Sequence, residues 1–342
     1  MKFGVLQFFS WPGRRVPLAT VYERAFQRME VMDKTGYDAV WLAEHHFSTY
    51  SVCPSVHIMG THIAAKTENI RIGTAISLAS FYHPLRLAEE VALLDNISGG
   101  RVNWGAGRGF DPTEHKMFGV EPSESYARFR EAVEIVLAAW KNERLSYEGE
   151  FWRFEDVEVL PKPLQDPMPV WLAATSLEAI EWTAQRGHTI MMDPHATHPE
   201  IAKKRAFYKQ ALETAGFSIS GRDIPMARTL AMGATAREAE AVGQRGAEFM
   251  FGSYLRKKAN IRGAAAGGQK TQPLEALDQT MQAAQDPVAR YVNEIAICGT
   301  PEKVIDDIQE MQETLPLEYL MIAPLSHASF VMFTEKVLPH FQ

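Results

Sequence analysis

Tyr37-Asp38-Ala39-Val40-Trp41-Leu42-Ala43-Glu44-His45-His46-Phe47 is the stretch whose reading decides the fold. Four consecutive apolar residues follow a Gly36-Tyr37-Asp38 stop signal and read as a buried parallel strand. Three ionisable side chains and an aromatic ring come next. Burying three such groups in a core is costly, so they are expected where the strand leaves it, at the carboxyl end. In alternating βα folds that end houses the chemistry. The competing reading is that Glu44, His45 and His46 only cap the strand and bond to loop backbone.

Outward from this strand, short apolar runs alternate with helical-period segments. Strands are predicted over 3–9, 39–42, 70–77, 101–105, 170–174, 189–192, 225–232 and 319–323. Helices are predicted over 19–34, 56–66, from Pro84 to the Ser98-Gly99-Gly100 stop, over 126–140, 177–186, 200–214 and 237–251, from Pro301 to Met311, and over 330–338. Eight strands in unbroken alternation with helices predict a (β/α)₈ TIM barrel in a single domain over 1–342. A doubly wound open sheet is the alternative, but it does not need eight parallel strands. Two segments interrupt the repeat. Residues 145–160 alternate around Gly149 and predict an inserted hairpin before strand five. Residues 255–290, with Gly263, Gly267 and Gly268 among basic flanks, predict a lid-like segment before strand eight.

The chain has 342 residues, 46% of them hydrophobic, enough for a large core. A formal charge of -7 argues against nucleic-acid and anionic-membrane partners. No apolar run reaches the ~18 residues of a membrane span, and the first nine residues read as a strand, not a leader. Cys53 and Cys298 lie far apart in the sequence and suit a reducing cytoplasm.

Gly105-Ala106-Gly107-Arg108-Gly109 carries a strand into a glycine-rich exit bearing one arginine. Such glycines allow backbone N–H groups to approach a ligand, and a guanidinium grips phosphate in a forked geometry; a plain turn is the alternative. Ala174-Thr175-Ser176-Leu177 follows strand five and opens a helix, which makes it either a second phosphate contact or an ordinary N-cap. Phe8, Trp11, Phe47, Phe81, Trp104, Phe110, Met191 and Met192 collect at predicted carboxyl ends, as core packing or as an apolar mouth for a planar cofactor. His188, His195 and His198 lack zinc-motif spacing, and no metal site is expected.

These pieces together resemble the bacterial luciferase-like flavin monooxygenases. The resemblance is carried by Trp41–Phe47, Gly73-Thr74-Ala75, His83-Pro84, Ser98-Gly99-Gly100-Arg101, Arg108-Gly109, Phe118-Gly119, Glu181-Trp182, Gln185-Arg186-Gly187 and Gly299-Thr300-Pro301, in order along nearly the whole chain. It implies a (β/α)₈ barrel and reduced FMN (FMNH₂) delivered by a separate NAD(P)H:flavin reductase. It further implies reaction with O₂ at the flavin C4a atom and oxygenation of a small organic substrate. His45 matches the catalytic histidine, with Glu44 orienting it; Arg108 and Ser176 match phosphate contacts, with Ala174, Thr175 and Leu177 beside them. Ala75-Ile76 matches a non-proline cis peptide under the flavin ring, and 255–290 a mobile lid. The resemblance also implies a dimer through the second and third helices. Phe8, Trp11, Phe81, Phe110 and Met192 are the expected substrate-pocket residues.

The sequence departs from the luciferase α chain at three of these places. Gly107 stands for a reactive cysteine, Asp111 for a tyrosine and Thr175 for an acidic residue. The first two leave light emission and a long-chain aldehyde outside what the resemblance supports. An F420-dependent oxidoreductase of the same fold and a noncatalytic flavin-binding subunit are the remaining alternatives.

Overall fold

The computed structural model describes residues 1–192, 194–255 and 286–342; residues 256–285, most of the expected lid, lie outside the described residues. In chain order the elements are β1 (Lys2–Gln7), α1 (Leu18–Met32), β2 (Ala39–Leu42), α2 (Val56–Ala64), β3 (Arg71–Thr74), β4 (Ser77–Leu78), α3 (Pro84–Ile97) and β5 (Val102–Gly107). Then come α4 (Pro112–Phe118), α5 (Ser125–Lys141), β6 (Leu145–Glu148), β7 (Arg153–Val157), β8 (Val170–Ala173), α6 (Leu177–Gln185), β9 (Thr189–Met191) and α7 (His198–Thr214). The chain closes with β10 (Pro225–Met232), α8 (Ala236–Met250), α9 (Pro287–Glu294), β11 (Ile297–Gly299), α10 (Pro301–Thr314), β12 (Tyr319–Pro324) and α11 (His327–Lys336). The class is α/β on parallel strands, as the alternation predicts.

The chain divides into two compact units. The first comprises Met1–Gln7, Lys34–Ala39 and Leu172–Gln342; the second comprises Phe8–Asp33 and Val40–Trp171. In the first, β10 is the hub, running parallel to β11 on one side and β12 on the other, and β12 pairs in turn with β1. All eight residues of β10 are buried, the near-continuous apolar pattern of a parallel strand covered on both faces. One of those eight is Arg228, which donates from Nη2 to the Ala196 carbonyl at 2.8 Å and from Nη1 to those of Ala227 at 3.0 Å and Pro194 at 3.3 Å. Backbone oxygens thus accept from a guanidinium that has no access to water.

In the second unit β2, β3 and β5 are neighbours, and β4 extends the pairing of β5 beyond the end of β3. Trp41 on β2 is 1% exposed and meets Trp171 edge-on, ring centroids 5.3 Å apart. Gly73 makes room for it, since a Cβ there would come within 2.2 Å of the Trp41 ring. Gly73→Ala is therefore expected to destabilise the fold by about 3 kcal/mol through overpacking, read as a lower urea midpoint; an unchanged midpoint would remove this contact from the account. The stretch 145–160 contains the antiparallel pair β6–β7. Its turn is tied down by buried Glu131 on α5, which accepts the amides of Glu150, Phe151 and Trp152 at 3.0–3.2 Å.

Several expectations are corrected. The strand predicted over 70–77 is two, β3 and β4, with the backbone turning at Ala75-Ile76 between them. Helix α4 follows the glycine-rich exit where no helix was predicted: Asp111 caps it, accepting the Thr113 amide at 2.8 Å, and Pro112 occupies its first turn. Strand β11 was missed because its three residues are too short to show a period. Helix α7 begins at His198 and α11 at His327, each earlier than predicted. Proline in a first turn and a serine cap at Ser326, accepting the Ser329 amide at 2.9 Å, set those starts.

Candidate active site

Beyond the end of β2, His45 forms an isolated antiparallel bridge with Cys53. Glu44 and His46 pair through their side chains. Glu44 is 2% exposed and well satisfied. Its Oε1 accepts from the Tyr82 hydroxyl at 3.0 Å and lies 3.0 Å from His46 Nε2, while Oε2 accepts the Leu78 amide at 3.2 Å. The expectation that all three ionisable groups avoid burial is thus corrected: a carboxylate with three partners tolerates it. Burial first, and the charge of Glu44 second, push the Tyr82 phenol above its ordinary value, so it remains a proton donor. The same two causes push the Cys53 thiol up to about 12, which keeps it from being a thiolate at neutral pH.

His45 has a different carboxylate. Its Nδ1 lies 3.5 Å from Oε1 of Glu114 on α4, a residue 1% exposed that also accepts the His46 amide at 2.9 Å. Glu44, expected to orient His45, has His46, Tyr82 and the Leu78 amide as its hydrogen-bond partners. The His45 amide donates to the Cys53 carbonyl at 3.2 Å. Around its imidazole stand Tyr50, edge-on at 5.0 Å, Phe8, stacked at 6.4 Å, and Phe110, edge-on at 6.4 Å. Of the other expected pocket residues, Trp11 donates from its indole N–H to the Val16 carbonyl at 2.7 Å. Phe81 stacks on Phe118 at 5.1 Å and meets His115 edge-on at 4.9 Å.

The Ala75–Ile76 peptide is cis, and the Ala75 amide donates to the Leu42 carbonyl at 2.7 Å, which ties this backbone to the end of β2. Arg108, just past β5, donates to Ser125 Oγ at 2.9 Å at the start of α5, and its guanidinium sits over the Tyr126 ring at 4.2 Å. His115 is held below its ordinary value by burial and then by the Arg108 charge. The second unit thus brings together His45, Glu44, Phe8 and Phe110, and it also carries the Ala75–Ile76 bond, Arg108, Trp11 and Phe81.

Ala174, Thr175, Ser176, Leu177 and Met192 belong to the first unit. Ser176 is the N-cap of α6, its Oγ accepting the Ala179 amide at 3.2 Å, and Leu177 is exposed. Ala174 and Met192 are buried, and the Met192 amide donates to the Pro225 carbonyl at 3.2 Å. In the same unit the His195 ring meets the Tyr291 hydroxyl at 3.2 Å, and burial, then Arg228, hold His198 down to about 4. Among the described residues no three His, Cys, Asp or Glu side chains gather as a metal site.

Sequence reasoning missed Glu114, Tyr82 and His57. Asp111-Pro112-Thr113-Glu114 carries a helix-start signal that would have placed Glu114 in a first turn. His57 on α2 bridges Ser77 Oγ at 3.0 Å and Glu90 Oε2 on α3 at 3.1 Å, beside the chain that leaves Ala75-Ile76. The His57 hydrogen bond first, and Arg86 next, hold the Glu90 carboxyl down to about 2. A depressed carboxyl stabilises the fold fully above its unfolded value near 4.5 and ceases to do so as pH falls toward 2. Glu90→Gln is expected to lower the urea midpoint at pH 6, with the gap to the parent closing between pH 5 and 2; a gap that persists at low pH would contradict this.

Residues 1–318 match the profile of the luciferase-like monooxygenases, and the chain belongs to that family. It is 31% identical over 197 residues to the oxygenase component of flavin-dependent trigonelline monooxygenase from Acinetobacter baylyi, covering 56% of this chain and 54% of that one. It is 25% identical over 333 residues to the alkanal monooxygenase alpha chain of Photobacterium leiognathi, covering 94% of each. The chain thus spans about half the length of some curated relatives and nearly all of others. Among solved structures, monooxygenase RslO1 from Streptomyces bottropensis superposes with a TM-score of 0.82 at 28% identity, covering 100% of both chains. Among the described residues no helix is long and apolar enough to cross a membrane.

Proposed function

We propose that this chain is the oxygenase component of a two-component monooxygenase that takes FMNH₂ from a separate NAD(P)H:flavin reductase and uses O₂ to oxygenate a small organic substrate. The observation that carries the reading is the setting of His45. It is a half-buried imidazole at the end of a parallel strand, ringed by Phe8, Tyr50 and Phe110 and backed by the buried carboxylate of Glu114. The residues fit a flavin mononucleotide. Aromatic rings suit the faces of a planar ring system, and the Arg108 guanidinium suits a phosphate dianion. Family resemblance adds Ser176, with Ala174, Thr175 and Leu177 beside it, as a phosphate contact, and the Ala75–Ile76 backbone as the ring's support. It also adds the (β/α)₈ barrel as the frame and a homodimer as the assembly.

Reduced FMN supplies the activation of O₂. The chain's part is to bind the cofactor through Arg108, to exclude water with Phe8, Tyr50 and Phe110, and to hold a proton at His45. A carboxylate can only accept, so Glu114 favours the imidazole proton on Nδ1 and leaves Nε2 to take a proton or, once protonated, to give one. Glu44 holds His46 and the Leu78 amide, fixing the chain on either side of that imidazole. The names of two relatives suggest the panel to screen: alkanals and trigonelline. With FMN, a flavin reductase and NAD(P)H, a substrate is identified when consumed O₂ no longer returns as H₂O₂. Spectral titrations with FMN and F420 decide the cofactor; tight binding of F420 alone would overturn the reading.

A further inference from the structure

We propose that Glu114 is the positioning residue of His45, and that Glu44, its sequence neighbour, positions the surrounding backbone instead. The proposal rests on reading His45 as the catalytic residue. One oxygen of Glu114, Oε1, serves two purposes: it lies 3.5 Å from His45 Nδ1 and accepts the His46 amide at 2.9 Å. The ring and the chain that carries it are thereby referred to a single buried atom. With Glu114 only 1% exposed, water does not compete for that oxygen. Helix α4 holds the residue still, since Asp111 caps it and Pro112 fixes its first turn, and Glu114 lies in that same turn. A carboxylate behind one ring nitrogen sets the tautomer and aims the other nitrogen, as it does behind metal-bound histidines.

Glu44 does something else. Its three partners are Tyr82, His46 and the Leu78 amide. Leu78 is the second residue after Ile76, so Glu44 ties the strand end to the backbone that follows the cis peptide. Two buried carboxylates thus divide the work, one holding the imidazole and the other holding the platform beside it.

The full-length chain loaded with FMNH₂ provides the test. In a double-mutant cycle, Glu114→Gln and His45→Ala are made singly and together, and the rate constant for oxidation of bound FMNH₂ by O₂ is read by stopped flow. Each single change is expected to alter that rate constant by ~10-fold or more, and the double variant is expected to match His45→Ala alone. In parallel, ¹⁵N signals of the His45 ring are expected to show Nδ1 protonated in the parent and a tautomer mixture in Glu114→Gln, with Glu44→Gln leaving them in place. If Glu114→Gln does not fold, Glu114→Asp, which keeps the acceptor, takes its place in the cycle with a smaller expected change. Equal effects of the Glu114 change with and without His45, or an unmoved ring signature, would overturn the proposal. If His45→Ala behaves as the parent, the reading of His45 itself fails, which is a distinct result.

Discussion

His45→Ala is expected to bind FMN as tightly as the parent and to lose coupled turnover by ~100-fold or more, the range of a positioned acid–base group. Binding persists because the contact proposed for the phosphate, Arg108, is untouched, as are the rings of Phe8, Tyr50 and Phe110. Turnover falls because two nearby imidazoles are engaged elsewhere. His46 is engaged with Glu44 at 3.0 Å and His57 with Glu90 and Ser77. The measurement is the ratio of oxygenated product to H₂O₂ at saturating FMNH₂ for a substrate found by the screen. A ratio equal to the parent's would take His45 out of the mechanism.

Arg108→Leu is expected to weaken FMN binding by roughly 10- to 100-fold, the equivalent of about 1.5–3 kcal/mol for a hydrogen bond to a charged group. Riboflavin, which lacks the phosphate, should bind both proteins alike. That comparison separates loss of a phosphate contact from general damage at the start of α5, where Arg108 also meets Ser125 and Tyr126. Arg108→Lys should recover part of the affinity, since an ammonium keeps the charge without the fork. Equal weakening of FMN and riboflavin would move Arg108 from ligand binding to structure.

The strand that opens the reading was legible because burial on both faces leaves a plain mark: Ala39-Val40-Trp41-Leu42 is apolar throughout and fully buried. The same pattern disclosed β10 and β12. What escaped were features decided by tertiary contact. Glu114 drew no notice in the sequence, and only the fold of α4 brings it to His45 and His46. Glu44 looked like the partner of its neighbour His45, but its side chain bonds His46, Tyr82 and the Leu78 amide. Arg228, in a strand read as apolar, is buried only because the carbonyls of Pro194, Ala196 and Ala227 converge on it, and no local pattern records that. The break between β3 and β4 is likewise invisible to hydropathy, which reads 70–77 as one continuous strand; it was the family resemblance that pointed to Ala75-Ile76.

A crystal structure with FMN bound under anaerobic reduction tests the central claim most directly. The account predicts the flavin ring against the Ala75–Ile76 backbone, its phosphate on Arg108, and the His45 imidazole facing the ring with Glu114 behind it. FMN bound elsewhere, or an imidazole turned away from the ring, would contradict it.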